Sequence, residues 1–77
     1  MEKDLVEFIA KAIVDEPENV SVNVIEGETS TILELSVASD DLGKVIGKHG
    51  RIAKSMRAIL SASATKTGKR VVLEILD

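Results

Sequence analysis

Apolar residues recur along this chain with two different periods, and the switches between them mark its elements. Leu5, Phe8, Ile9, Ala12 and Ile13 follow i, i+3, i+4, i+7, i+8, which predicts a helix over residues 3 to 14 that stops before Pro17 and places Phe8 in the core. Val20, Val22 and Val24 alternate with Ser21 and Asn23, the period of a strand exposed on one face. A turn at Gly27-Glu28 leads to a second alternation, Leu33, Leu35 and Val37 against Ile32, Glu34 and Ser36, so the two strands pair as a hairpin. A short helix then starts near Ser39, a suitable N-cap, with Asp40 and Asp41 in a first turn where carboxylates favour the helix dipole. From Arg51 to about Ala64 the period is helical again. At about 100° per residue, Ile52, Ala53, Met56, Ile59, Leu60 and Ser63 fall within roughly 120° of arc and form the stripe expected to be buried. Gly68 breaks this segment, and Val71, Leu73 and Ile75 alternate in a final strand.

The order is helix, strand, strand, helix, helix, strand, an α+β class. A strand joined through a helical crossover to another strand of the same sheet is normally parallel to it, whereas a hairpin is antiparallel. The expectation is a mixed three-stranded sheet with the helices on one face, in a single domain over residues 1 to 77. No repeat, linker or low-complexity tract interrupts the chain.

Between the last two helices lies Gly47-Lys48-His49-Gly50. With glycine at about 7% of residues, a chain of this length carries a G-x-x-G by chance about one time in three, so the tetrad needs its context. That context is basic: Leu42 to Arg57 holds Lys44, Lys48, Arg51, Lys54 and Arg57 and no acid. Arg51, Lys54 and Arg57 are spaced i, i+3, i+6, off the apolar stripe, so their heads reach solvent or phosphate while their stems cover apolar neighbours. Two glycines allow a sharp turn, and a helix starting after Gly50 offers unpaired N–H groups and the positive end of its dipole to an anion.

The charge is partitioned as well. Residues 1 to 41 hold eleven acids and two bases, a balance of −9, and residues 42 to 77 hold eight bases and two acids, a balance of +6. A net charge of −3 argues against non-specific coating of duplex DNA but permits a local basic groove. The plain alternative, a solvated charged face, usually mixes signs, and this one does not.

No cysteine is present, which removes thiolate metal sites and thiol nucleophiles and fits a reducing interior. The charged opening Met1 to Asp4 does not read as a signal peptide, and no apolar run approaches the ~20 residues of a membrane span, so the expected location is the cytoplasm.

At this point the sequence resembles the KH domain in its prokaryotic type II arrangement, in which the extra helix and strand come first. Val45-Ile46-Gly47-Lys48-His49-Gly50-Arg51 matches the core motif, and the resemblance covers essentially the whole chain. One position departs from the usual pattern: Ala53 stands where isoleucine is common, three after the second glycine. KH domains clamp about four unpaired nucleotides, with the backbone at the G-x-x-G loop. The resemblance therefore implies that Gly47, Lys48, His49 and Gly50 hold phosphates, that Lys44, Arg51 and Lys54 line the entrance, and that Ile46 and Ala53 form an apolar platform for bases. For a stand-alone domain of this size it also implies an RNA chaperone or post-transcriptional regulator that self-associates and associates with a larger KH-containing protein of the Jag or KhpB type. The composition is compatible with this. RRM and OB-type readers depend on aromatic stacking, and Phe8 is the only aromatic residue here.

Catalysis finds no constellation. The Gly43 to Lys48 stretch has three residues between its glycines instead of the four of a P-loop, and His49 follows where Ser or Thr is required. His49 is the only histidine, which leaves no His-based metal cluster and no oriented nucleophile, and Asp15-Glu16 and Asp40-Asp41 read as a helix end and a helix start. No cofactor is called for. Two functions remain open: a single-stranded RNA-binding module, and a KH-fold protein-interaction or dimerisation module with weak RNA affinity. For the second, Ser55, Ala58, Ile59 and Ala62 form a surface of mostly small residues on which another helix can approach, although alanine is also simply a good helix former.

Overall fold

A computed structural model describes all 77 residues. The elements are α1 (Glu2–Ile13), β1 (Ser21–Glu26), β2 (Ser30–Ser36), α2 (Leu42–Ile46), α3 (Arg51–Thr67) and β3 (Arg70–Ile75), with single 3₁₀ turns at Pro17–Asn19 and Ser39–Asp41 and a turn of non-helical backbone at Lys48–Gly50. The sheet order is β1-β2-β3, with β2 antiparallel to β1 and parallel to β3. This is the expected α+β topology.

β2 shows why the sheet has one covered face. Thr31, Leu33 and Leu35 are buried, while Ile32, Glu34 and Ser36 between them are only partly so. Register aligns the apolar positions: Val22 stands opposite Leu35, and Leu33 opposite Leu73. The helices cover this face with Val6 and Ala10 of α1, Val45 of α2, and Met56 and Leu60 of α3, which complete one core with the strand residues. Truncating a leucine at its centre to alanine typically costs about 2–5 kcal/mol.

Helix α1 docks on a different stripe from the expected one. Apolar residues occupy so much of its circumference that two stripes compete, one containing Phe8 and one containing Val6 and Ala10. The second wins: Val6 and Ala10 are buried, Ile9 and Ile13 pack beside them, and Phe8 is 72% exposed. Phe8 lies about 160° around the helix from Val6. The small Ala10 side chain, fully buried, lets the helix sit close to the sheet in a way a phenyl ring at the contact would prevent.

Two further boundaries differ. The turn at Ser39–Asp41 is 3₁₀, so the N-cap of α2 is Asp41 and not Ser39. Helix α3 runs three residues past Ala64 to Thr67, where Gly68 at φ 72° ends it in the left-handed conformation. Its buried stripe is narrower than expected, with Ala53, Met56 and Leu60 buried, Ile52 and Ser63 part-buried and Ile59 47% exposed. No helix is long and apolar enough to cross a membrane.

Candidate nucleic-acid interface

The loop between α2 and α3 is built from backbone that ordinary side chains resist. Gly47 has φ 79° and ψ 168°, a region essentially confined to glycine, and its N–H donates to Gly43 O at 2.8 Å to close α2. His49 (φ 58°) and Gly50 (φ 73°) are both left-handed, and the Gly50 N–H donates to Gly47 O at 3.0 Å. Histidine is among the residues enriched there. This conformation turns the chain within four residues and leaves Lys48 and His49 exposed at the tip.

Helix α3 begins immediately afterwards with Gly50 as its N-cap, and no side chain caps it. The Arg51 N–H donates to Lys48 O, so the start of α3 is closed by the loop's own backbone and not by a side chain, and the positive end of the helix dipole favours an anion here. Lys48, Arg51, Lys54 and Arg57 are all exposed, and none takes part in the four ion pairs of the molecule. Arg57 instead donates to the main-chain oxygen of Leu73 at 3.3 Å, which lays its guanidinium against the edge strand β3. The spacing i, i+3, i+6 signals Arg57 in the sequence, yet the expected entrance of Lys44, Arg51 and Lys54 omits it.

Lys44 is placed otherwise. Its Nζ lies 3.2 Å from Asp15 Oδ2 and 3.4 Å from Asp41 Oδ1. The bond and charge of Asp15, then those of Asp41, raise its pKa above the ordinary lysine value. Asp41 is buried, which pulls its carboxyl pKa upward, but the amides of Glu16 and Asp15 and the Lys44 ammonium outweigh this and hold it below its ordinary value. In the sequence Asp41 signals only a helix start.

Of the expected platform, Ile46 is 37% exposed at the end of α2, whereas Ala53 is 4% exposed and so offers almost no surface of its own. The second set, Ser55, Ala58, Ile59 and Ala62, is exposed along α3. The Ser55 hydroxyl is satisfied by its own helix, donating to Arg51 O at 2.9 Å. Ala62 shares a cavity of about 320 Å³ with Met1, Glu2, Leu5, Ser63 and Lys66, where α1 meets the far end of α3. There Ser63 Oγ donates to Glu2 Oε2 at 2.6 Å and lowers the Glu2 pKa.

A helix, a hairpin and a βααβ crossover folded around this G-x-x-G turn define a KH domain of type II. The family model described as "KhpA/KhpB, KH domain" matches residues 3–75, and the chain belongs to that family. It is 58% identical to the RNA-binding protein KhpA of Borreliella burgdorferi over 76 residues, 99% of this chain and 93% of that one. The KhpA of Clostridium perfringens is 58% identical over 96% of this chain and 99% of its own length, and that of Treponema pallidum 54% identical over 100% and 96%. Among solved structures, the fold is shared with Era in complex with MgGDPNP and nucleotides 1506–1542 of 16S ribosomal RNA, at TM-score 0.62 and 21% identity over 96% of this chain. A variant of Aquifex aeolicus Era bound to GDP and aluminium fluoride gives TM-score 0.61 at the same identity. The chain spans less than a third of the length of either Era chain, 28% and 29%.

Proposed function

We propose that this protein binds single-stranded RNA without catalysing a reaction, gripping about four nucleotides with the Gly47–Gly50 loop. The observation that carries this reading is a row of cations without an acid partner, Lys48, Arg51, Lys54 and Arg57, beside a left-handed loop and a helix start with no side-chain cap. Backbone phosphates meet Lys48, His49 and the positive end of the α3 dipole. Ile46 offers apolar surface at the rim, and Arg51, Lys54 and Arg57 carry the positive potential toward β3. The RNA-binding names of relatives more than half identical over nearly the whole chain support the same reading. A protein that holds unpaired segments and releases them acts in the cytoplasm as an RNA chaperone or post-transcriptional regulator.

A single site of this size binds modestly, and joining two sites raises affinity through effective concentration. Phe8 on α1 and Ile59 on α3, 72% and 47% exposed, favour association through the helical layer, with a second copy or with a larger KhpB-type KH protein as partner.

Titration of an unstructured RNA oligomer against the same sequence as a blunt duplex, across a salt series, tests the RNA reading. Single strands should bind better, and two to four phosphate contacts should give a slope of log K against log[salt] of about −1.4 to −2.8. Equal affinity for both forms would contradict a KH groove.

A further inference from the structure

Asp41 is the only charged residue buried in the molecule, at 2% exposure, and neither the loop nor the cation row uses it. An ionised carboxylate is tolerated in such a place only when its oxygens are satisfied. Here Oδ2 accepts the Glu16 N–H at 3.0 Å, Oδ1 accepts the Asp15 N–H at 3.2 Å, and the Lys44 ammonium lies 3.4 Å from Oδ1. Lys44 in turn reaches 3.2 Å to Asp15 Oδ2. Asp15 is thus held twice, through its amide by Asp41 and through its carboxylate by Lys44, the first contact spanning 26 residues of sequence.

These contacts join the segment leaving α1 to the start of α2. Asp41 is the N-cap of α2, and Gly47, the first residue of the loop, is its C-cap. A helix of five residues has almost no stability of its own, so its direction follows from its tertiary contacts, Val45 in the core and what holds its ends. At about 1.5 Å per residue, Gly47 lies only about 9 Å along the helix from Asp41.

We propose that Asp41, Lys44 and the Asp15–Glu16 backbone form a latch that aims α2 and with it the Gly47–Gly50 loop, so that Lys44 is a positioning residue for RNA binding and not a phosphate ligand. This rests on the RNA-binding reading above. The charge pattern argues for the distinction. A phosphate approaching the Lys44 ammonium would meet two carboxylates already paired with it, whereas at Lys48, Arg51 and Lys54 it meets cations without an acid partner.

The test is a salt series with an unstructured RNA oligomer for the wild type and for Lys44→Gln, Lys44→Arg and Asp41→Asn, with circular dichroism on each. Lys44→Gln should weaken binding on the order of threefold or more while leaving the salt slope unchanged, and Lys44→Arg should restore affinity. Asp41→Asn should also weaken binding, although it removes a negative charge, and amide exchange at Asp15 and Glu16 should speed up. A slope flattened by about 0.7 in Lys44→Gln would mark a lost phosphate contact and overturn the proposal. So would a folded Asp41→Asn variant that binds as well as the wild type or better. If Asp41→Asn fails to fold, Lys44→Gln decides, since Lys44 is exposed and its removal opens no cavity. A wild type that binds no RNA would refute the function instead. The latch would then stand or fall on the amide resonances of Gly47 to Gly50, which should shift in Lys44→Gln and would overturn it by staying in place.

Discussion

A Cβ on Gly47 would lie 2.7 Å from Cγ1 of Ile52 and 2.9 Å from its backbone nitrogen, so the loop and the start of α3 are in contact at a point where only hydrogen fits. Gly50, the other glycine of the tetrad, has nothing within 4 Å of the same position. The two glycines are therefore not equivalent. Gly47→Ala combines a clash with main chain and a glycine-only backbone region, and should cost about 3 kcal/mol or more in urea denaturation. Gly50→Ala should cost only about 1–2 kcal/mol, the left-handed penalty alone. Equal losses would show that the contact with Ile52 is not what requires Gly47.

Stability should fall at both ends of the pH scale, for opposite reasons. Asp41, Glu2 and Glu26 have lowered pKa values, Asp41 despite its burial because amides and Lys44 hold the charge, Glu2 through Ser63, and Glu26 through Lys69. A lowered carboxyl contributes stability that is present above its unfolded value and lost as pH falls through the folded one, so the loss belongs below about pH 4. Lys44 is raised, and its contribution is present below its unfolded value and lost as pH rises through the folded one, above about pH 10. Urea midpoints across pH 2.5–11 should show a plateau between these limits. In Asp41→Asn the acid loss should shrink, and an unchanged acid limb would contradict the role given to Asp41.

If the exposed face of α3 joins two copies, the wild type should sediment as a concentration-dependent dimer and Ile59→Asp should shift it to monomer. Ile59 is half exposed, so the substitution should leave the melting temperature of the monomer within a few degrees, in keeping with a surface change of about 0.5 kcal/mol. Ala58→Trp is the second probe. A wild type that stays monomeric at high micromolar concentration would refute self-association.

The strands and the crossover are legible in the sequence because their period-2 patterns are clean and bounded by Gly27 and Gly68, and because few topologies join such elements. The loop is legible because Gly47 and Gly50 sit in an all-positive run. Phe8 is misplaced by periodicity for a physical reason: α1 is apolar over more than one stripe, and the choice between them depends on which stripe fits the sheet, where Ala10 allows closer contact than a phenyl ring. Ile59 is ambiguous in the same way at the edge of the α3 stripe. The partners of Asp41 are illegible because they are main-chain amides 25 and 26 residues away, and an amide carries no side-chain signature. Lys44 reads like the other cations of its run; its i, i+3 spacing from Asp41 is the one local signal that sets it apart, and tertiary structure adds Asp15.

The loop assignment is tested most directly by replacing Lys48 and His49 together with aspartate and titrating the variant with an unstructured RNA oligomer, its fold checked by circular dichroism. Both side chains are exposed at the loop tip and absent from the core, so the wild-type spectrum should be kept, while two carboxylates facing the RNA backbone should reduce affinity at least about a hundredfold. A folded double variant that binds the oligomer with wild-type affinity would contradict the assignment of this loop as the grip on RNA.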